Sequence, residues 1–249
     1  MTEPLRVVFM GTPEFALPAL AALHESSHTV LRVVTQPDRR QGRGRKPQPP
    51  PVKRLAESLG YPVDQPPEGI GRDPELTEAL RAMAPDVFAV VAYGSLLPRR
   101  LLDLPRLGAV NIHPSLLPRY RGPAPIQWAV LNREAETGVT TMILDEGVDT
   151  GDILIQERTP LAPRETSETL HDRLAEMGAD LLVRTLDGLA QGAITPRPQT
   201  DAGASHAPRL TKADGRMDWR RPAADLDAFV RGMNPWPGAY TFAGDRRIK

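Results

Sequence analysis

Asn111 and His113 are, by type and spacing, the residues of this chain best placed to do chemistry. They stand two apart where an apolar run (Gly108, Ala109, Val110) gives way to Pro114, Pro118, Gly122 and Pro123. On an extended chain, side chains two apart point to the same side. The prolines and the glycine then force the backbone out of any sheet. An amide that donates hydrogen bonds beside an imidazole that carries a proton can stabilise an oxyanion and move a proton. Parallel α/β sheets place their sites at that edge, beyond the C-terminal ends of the strands. The plain alternative is a strand end with a surface histidine and a capping asparagine. Downstream, Asp145-Glu-Gly-Val-Asp-Thr-Gly-Asp152 packs four acids into eight residues. This stretch could be a hairpin turn or a calcium loop, although the twelve-residue hand pattern is missing. In either case one of its acids lies near enough to partner His113, because both loops leave the same kind of sheet.

The elements that must position these residues are legible from periodicity. Leu5 to Met10 reads as a first strand, and Gly11-Thr-Pro-Glu14 as a turn with Thr12 as N-cap and Pro13 at the first helical position. Phe15, Leu17, Leu20 and Leu23 mark the helix that follows, toward Ser26. This strand-glycine-helix start is Rossmann-like, but only Gly11 of the three-glycine fingerprint is present, so no nicotinamide cofactor is expected. Strands are expected at 29–35, 86–92, 138–144 and 153–157, and helices at 51–59, 73–83, 124–131 and from Thr166 to Gly192. Such alternation predicts an α/β fold: a Rossmann-like, mostly parallel sheet with helices on both faces. Tyr93-Gly-Ser-Leu-Leu-Pro98 leaves a buried strand as a second edge loop, a wall suited to a flat ligand. His24, His28 and His171 read as helix-face or turn-flanking residues, and His206 lies in a run of small residues. The catalytic domain is expected over 1–194 and a Pro/Gly-rich linker over 195–208. Residues 209–249 would begin a small β-barrel-like C-terminal domain, with a short helix at 223–233 and Ala239 to Phe242 meeting Ile248 across Gly244-Asp245.

Composition excludes several classes of protein. With no cysteine among 249 residues, disulfides, a cysteine nucleophile and thiolate zinc sites are ruled out. The start, Met1-Thr-Glu-Pro-Leu-Arg6, does not resemble a secretory signal, and no apolar run approaches the ~20 residues that span a bilayer. A soluble, cytoplasmic protein without a membrane partner is therefore expected. Formal net charge is zero, so the molecule as a whole does not attract nucleic acid. The charge is unevenly spread, however. Arg39, Arg40, Arg43, Arg45, Lys46, Lys53 and Arg54 follow one another with no acid between them. Their stretch is too rich in glycine and proline for helix or strand, and a basic loop at a strand's C-terminal edge can grip a phosphate backbone.

Asn111-x-His113 with Ser115-Leu-Leu-Pro-Arg-Tyr-Arg-Gly122, followed by Asp149-Thr-Gly151, resembles the formyltransferase family that uses 10-formyltetrahydrofolate. Phe9-Met-Gly-Thr-Pro-Glu-Phe-Ala16, Thr35-Gln-Pro-Asp-Arg39 with its basic loop, and Asn234-Pro-Trp-Pro-Gly238 are similar to the branch that formylates aminoacylated initiator tRNA. The resemblance implies Asn111, His113 and Asp149 as the catalytic set, with no metal and no covalent enzyme intermediate. It implies folate contacts at Ser115, Leu116, Leu117 and Pro118, and a pterin slot formed by Tyr93, Gly94, Leu96 and Leu97 with Asp145 and Val148. Arg39, Arg40, Arg43, Arg45 and Lys46 would meet the tRNA acceptor arm, and the enzyme would act as a monomer. Members of the family continue past Lys249 with a complete C-terminal domain. Two alternatives remain open: a sister enzyme acting on a small-molecule amine, in which the basic loop has no role, and a non-enzymatic RNA-binding protein, indifferent to loss of Asn111 or His113.

Overall fold

The computed structural model describes residues 3–41 and 46–249. In chain order the strands are β1 (Arg6–Gly11), β2 (Thr29–Val34), β3 (Arg39–Gln41), β4 (Lys46–Gln48), β5 (Val63–Asp64), β6 (Val87–Val91), β7 (Ala109–His113), β8 (Glu136–Ile143), β9 (Ile153–Pro160), β10 (Thr241–Ala243) and β11 (Arg246–Ile248). The helices are α1 (Leu17–Glu25), α2 (Pro51–Ser58), α3 (Pro74–Ala82), α4 (Arg99–Leu102), α5 (Pro125–Leu131), α6 (Ser167–Ala190) and α7 (Ala223–Gly232).

Seven strands form one sheet in the order β5-β2-β1-β6-β7-β8-β9. The first five run parallel, and β8 and β9 extend the sheet antiparallel. Strands buried on both faces read as continuous apolar runs, as in Val7 to Met10 and Val87 to Val91. Alternate residues of those runs feed two separate cores. Val7, Phe9, Val87, Ala89, Val110 and Ile112 pack with α1, α2 and α6. Val8, Met10, Phe88, Val90 and Ala109 pack with α3 and α4. Helices therefore cover both faces, as the sequence predicts.

Local signals explain most of the boundaries. Asp73 caps α3 by accepting from Leu76 N (2.9 Å), with Pro74 at the first helical position. Thr166 and Thr169 form a reciprocal cap on α6. Thr12, however, is no cap: its hydroxyl donates to Tyr93 O (2.9 Å), and a 3₁₀ turn over Glu14–Ala16 precedes α1. That bond ties the β1 exit to the β6 exit, a long-range use of a residue that local pattern assigns to a helix start. The basic stretch also departs from expectation, since β3 and β4 pair as an antiparallel hairpin with Arg40 opposite Pro47. Short edge strands tolerate proline because only one side needs ladder hydrogen bonds. Arg43 and Arg45 lie outside the described residues.

Beyond α6, residues 195–208 run as a strap held at two points. Arg197 exchanges backbone hydrogen bonds with Ile153 (2.8 and 2.9 Å), while Ser205 and Ala207 bond the backbone of Arg121 (2.9 and 2.7 Å). After the strap, α7 packs on α5 through Leu210, Phe229 and Met233 against Ala124, Trp128 and Leu131. The β10–β11 hairpin closes the chain with Thr241 opposite Ile248. Among the described residues no helix is long and apolar enough to cross a membrane.

His28, buried at the foot of β1, accepts from Leu5 N (3.2 Å) through Nδ1 and points Nε2 at Asp187 Oδ1, 3.4 Å away on α6. Burial holds its pKa below the ordinary histidine value, and Asp187 only partly offsets this. The neutral ring is thus favoured in the folded state. Its contribution is complete above the unfolded value of ~6.5 and is lost as pH falls through the lower folded value. Thermal midpoints measured across this range should fall faster with acidification for the wild type than for His28→Gln. Parallel slopes would show that His28 is not the titrating group.

Candidate active site

β7 lies between β6 and β8, with Asn111 in register with Val90 on one side and Met142 on the other, and His113 opposite Thr140. Because Val110 and Ile112 enter the α1/α2/α6 core, Asn111 and His113 face the other way. Both line a cavity of about 530 Å³ over the ends of β1, β6 and β7. Asn111 is half-buried and His113 is 4% exposed.

The imidazole is held from one side. Its Nε2 lies 2.9 Å from Tyr120 O, and a carbonyl only accepts, so Nε2 carries the hydrogen and donates it. That leaves Nδ1 as the nitrogen free to exchange a proton, facing Asp149 Oδ2 at 3.6 Å. At that separation the two atoms make no hydrogen bond, an opening of the kind that substrate closes in many enzymes. Tyr120 aims its carbonyl from a left-handed backbone (φ +60°). Its hydroxyl donates to the Glu134 carboxylate and accepts from Asn132 Nδ2 (3.0 Å), and its N–H donates to Ser205 Oγ (2.8 Å). Burial, with Glu134 beside it, raises the Tyr120 phenol above its usual range, so the hydroxyl stays a donor.

Asp149 reaches His113 by a route that element order does not suggest. Since β8 is antiparallel, its last residue Ile143 pairs with Val110, near the start of β7. The following loop therefore begins at the far end of β7 from His113 and must fold back across the sheet. Asp149 takes a left-handed conformation there (φ +54°), and its Oδ2 accepts from Gly122 N at 2.8 Å. Gly122 has φ +112°, and an added Cβ would lie 2.8 Å from His206 Cε1 and 2.9 Å from Ala207 O. Only glycine fits, and its amide holds the carboxylate in place.

Of the slot residues named from sequence, Tyr93, Gly94, Leu96, Leu97, Asp145 and Val148 all border the cavity. Leu96 is 74% and Val148 52% exposed, so apolar surface is presented at the mouth. The Tyr93 ring is buried in the core and its phenol pushed up to about 12, leaving mainly backbone to face the cavity. Asp145 accepts from Gly147 N (2.9 Å) and Thr150 Oγ1 (2.8 Å), so its carboxylate closes its own turn. Among the described residues no cluster of three His, Asp or Glu side chains could hold a metal. Ser115, Leu116, Leu117 and Pro118, expected as folate contacts, do not line this cavity. Ser115 is fully buried, donating to Arg119 O (2.6 Å), while Leu117 packs with Met142 and Ile153. Two-residue alternation ended at Pro114, so proximity in sequence to His113 did not carry these side chains to the same side.

The cavity has a second wall that sequence reasoning missed: Pro13, Phe15, Pro125, Ile126, His171 and Arg209. Phe15 meets His171 edge to face at 5.2 Å. Phe15 and Ile126 belong to the α1/α2/α6 core, whereas Tyr93 and Leu97 belong to the α3/α4 core. The cavity is thus lined by residues of both cores. Helix periodicity treats Phe15 and Ile126 as ordinary core, and nothing local distinguishes them.

Residues 5–186 match the family model described as Formyl transferase, and residues 209–249 match Formyl transferase, C-terminal domain. The chain belongs to the formyl transferase family. It is 51% identical over 245 residues to the methionyl-tRNA formyltransferase of Citrifermentans bemidjiense, covering 98% of this chain and 76% of that one. It is 50% identical to the methionyl-tRNA formyltransferase of Geobacter sulfurreducens, with 98% and 77% covered. Among solved structures, a sugar N-formyltransferase from Shewanella shares the fold at TM-score 0.71 and 18% identity, covering 98% of this chain and 95% of that one. HypX from Aquifex aeolicus, solved with tetrahydrofolic acid, does so at TM-score 0.65 and 19% identity, covering 95% and 36%.

Gly122→Ala should force the 120–123 loop away from the strap and pull the amide off Asp149. A misplacement of about 1 Å at such a site costs on the order of 10²-fold in rate. Steady-state formyl transfer should show that loss in kcat, and wild-type kcat in the alanine variant would mean that the contact is dispensable.

Proposed function

We propose that this chain transfers the formyl group of 10-formyltetrahydrofolate to the α-amino group of methionyl-tRNA, the reaction that prepares the initiator for translation. The carrying observation is the convergence of Asn111, His113 and Asp149 on one cavity. The close relatives, named for this activity, agree with it.

In this reading the methionyl nitrogen attacks the formyl carbon, and the carbon–nitrogen bond to folate breaks after a tetrahedral intermediate. The proton leaving the amine equals the proton gained by the departing folate nitrogen, so no co-reactant is consumed. Asn111 donates its side-chain N–H to the oxyanion. His113 presents Nδ1, the nitrogen left open by the Tyr120 carbonyl, as second donor and proton relay. Asp149 balances the imidazolium charge as it forms. The flat pterin lies between residues 93–97 and 145–148, while the methionyl end lies against Phe15, Pro125 and Ile126, with exposed Arg209 beside it.

The tRNA arm meets Arg39, Arg40, Arg43, Arg45 and Lys46. The stem of their hairpin is tied toward the cavity: Gln36 Nε2 donates to Ser95 Oγ (3.0 Å), and Gln65 bonds both Gln36 O (2.9 Å) and Asp38 (2.7 Å). Hydrogen bonds from Gln65 and Lys53 hold the Asp38 carboxyl below its usual range, so Lys53 is engaged there rather than free for phosphate. We divide the chain into a catalytic domain (1–194), a connecting strap (195–208) and the start of a tRNA-binding β domain (209–249), working as a cytoplasmic monomer.

The purified protein should formylate methionyl-tRNA with 10-formyltetrahydrofolate, and Asn111→Ala should lower kcat by roughly 10²–10³ as an oxyanion donor is lost. Absence of transfer by the wild type refutes the reading. A combined Arg43→Ala, Arg45→Ala, Lys46→Ala variant should raise KM for tRNA and flatten its salt dependence, with kcat little changed. Unaltered tRNA kinetics in that variant would point instead to a small-molecule amine as acceptor.

A further inference from the structure

We infer that Gln199, a residue of the strap outside the catalytic domain proper, is a positioning residue for Asp149. The inference rests on the formyl-transfer reading above.

The Gln199 carboxamide is fully used. Its Nε2 donates to Asp149 O (2.9 Å) and to Gly151 O (2.8 Å), and its Oε1 accepts from Arg121 Nε (3.0 Å). These bonds complete a closed circuit. Arg121 is followed by Gly122, whose amide holds the Asp149 carboxylate at 2.8 Å, and the Asp149 backbone returns to Gln199. One side chain thus clamps together the two loops that face each other across His113. The 144–152 loop needs it: it folds back from the wrong end of β7, and its Asp149 sits in a left-handed conformation that costs a non-glycine residue free energy. An amide that gathers the carbonyls of Asp149 and Gly151 offsets that cost and sets the direction in which the carboxylate points.

The strap in turn is a fixed base for this clamp. Arg197 is locked to Ile153 two residues before Gln199, and Ser205 and Ala207 are locked to Arg121 after it. Ser205 also bonds Tyr120 N, so the carbonyl that orients His113 Nε2 is braced by the same segment. The strap therefore hydrogen-bonds both residues that flank the imidazole, Tyr120 and Asp149.

The test uses the chain in steady-state formyl transfer to methionyl-tRNA, with kcat and KM for both substrates and the thermal midpoint recorded for each variant. Gln199→Met keeps the length and bulk of the side chain but removes both donors. It should lower kcat on the order of 10²-fold, with each KM within about threefold and the midpoint close to wild type. Gln199→Glu keeps an acceptor for Arg121 but sets a carboxylate against two carbonyls, and it should fall at least as far. Thr200→Ala, whose lost hydroxyl only caps Ala202 N within the strap, should keep wild-type kcat. A Gln199→Met enzyme with wild-type kcat overturns the inference, as does a loss that Thr200→Ala shares or that follows the thermal midpoint. Inactivity of the wild type itself would instead reject the functional reading.

Discussion

One hydrogen bond, from His113 Nε2 to the Tyr120 carbonyl, decides how the rest of the site can work. An imidazole has two nitrogens, and a free ring can present either. By committing one of them to an acceptor that cannot donate, the fold leaves Nδ1 as the reactive atom and gives it a direction. Asp149, Asn111 and the cavity are arranged about that atom. The bond depends on a left-handed Tyr120 held by Glu134, Asn132 and Ser205, so an apparently local orientation draws on two other segments of the chain.

The sheet supplies the second constraint. A parallel core brings the ends of β1, β6 and β7 to one edge, and residues of both cores line the cavity there. A bimolecular transfer is served by such an arrangement, because the acceptor nitrogen must be held within reach of the formyl carbon that folate carries. The antiparallel addition of β8 and β9 completes the cavity at a cost, since its loop starts beside Val110 and has to return to reach His113. Gly122, a left-handed Asp149 and the strap are the means by which it returns.

Much of this was legible beforehand. Continuous apolar runs marked the buried strands, Asp73 and Thr166 marked helix starts, and the break after His113 marked the sheet edge. Other signals misled for identifiable reasons. Thr12 has the chemistry of a cap, but its hydroxyl found a carbonyl on another strand's loop. Ser115 to Pro118 are adjacent to the site in sequence, yet the backbone turned at Pro114 and placed them off the cavity. The basic stretch reads as coil from its prolines and glycines, although Arg39–Gln41 and Lys46–Gln48 pair as short strands with Pro47 in the second.

The sequence by itself determined the kind of sheet, the helices that cover it and the residue types capable of formyl transfer, because hydrophobic period and side-chain chemistry are local properties. It also placed Asn111 and His113 on one side of one strand, which two-residue spacing guarantees. Tertiary structure alone decided by what path Asp149 reaches the imidazole, which imidazole nitrogen is free and which further side chains wall the cavity. Those outcomes depend on contacts between residues far apart in the chain, such as Gly122 with Asp149, Tyr120 with Ser205 and Gln199 with Arg121. No periodicity encodes them, because each exists only once strand order and loop path have been set.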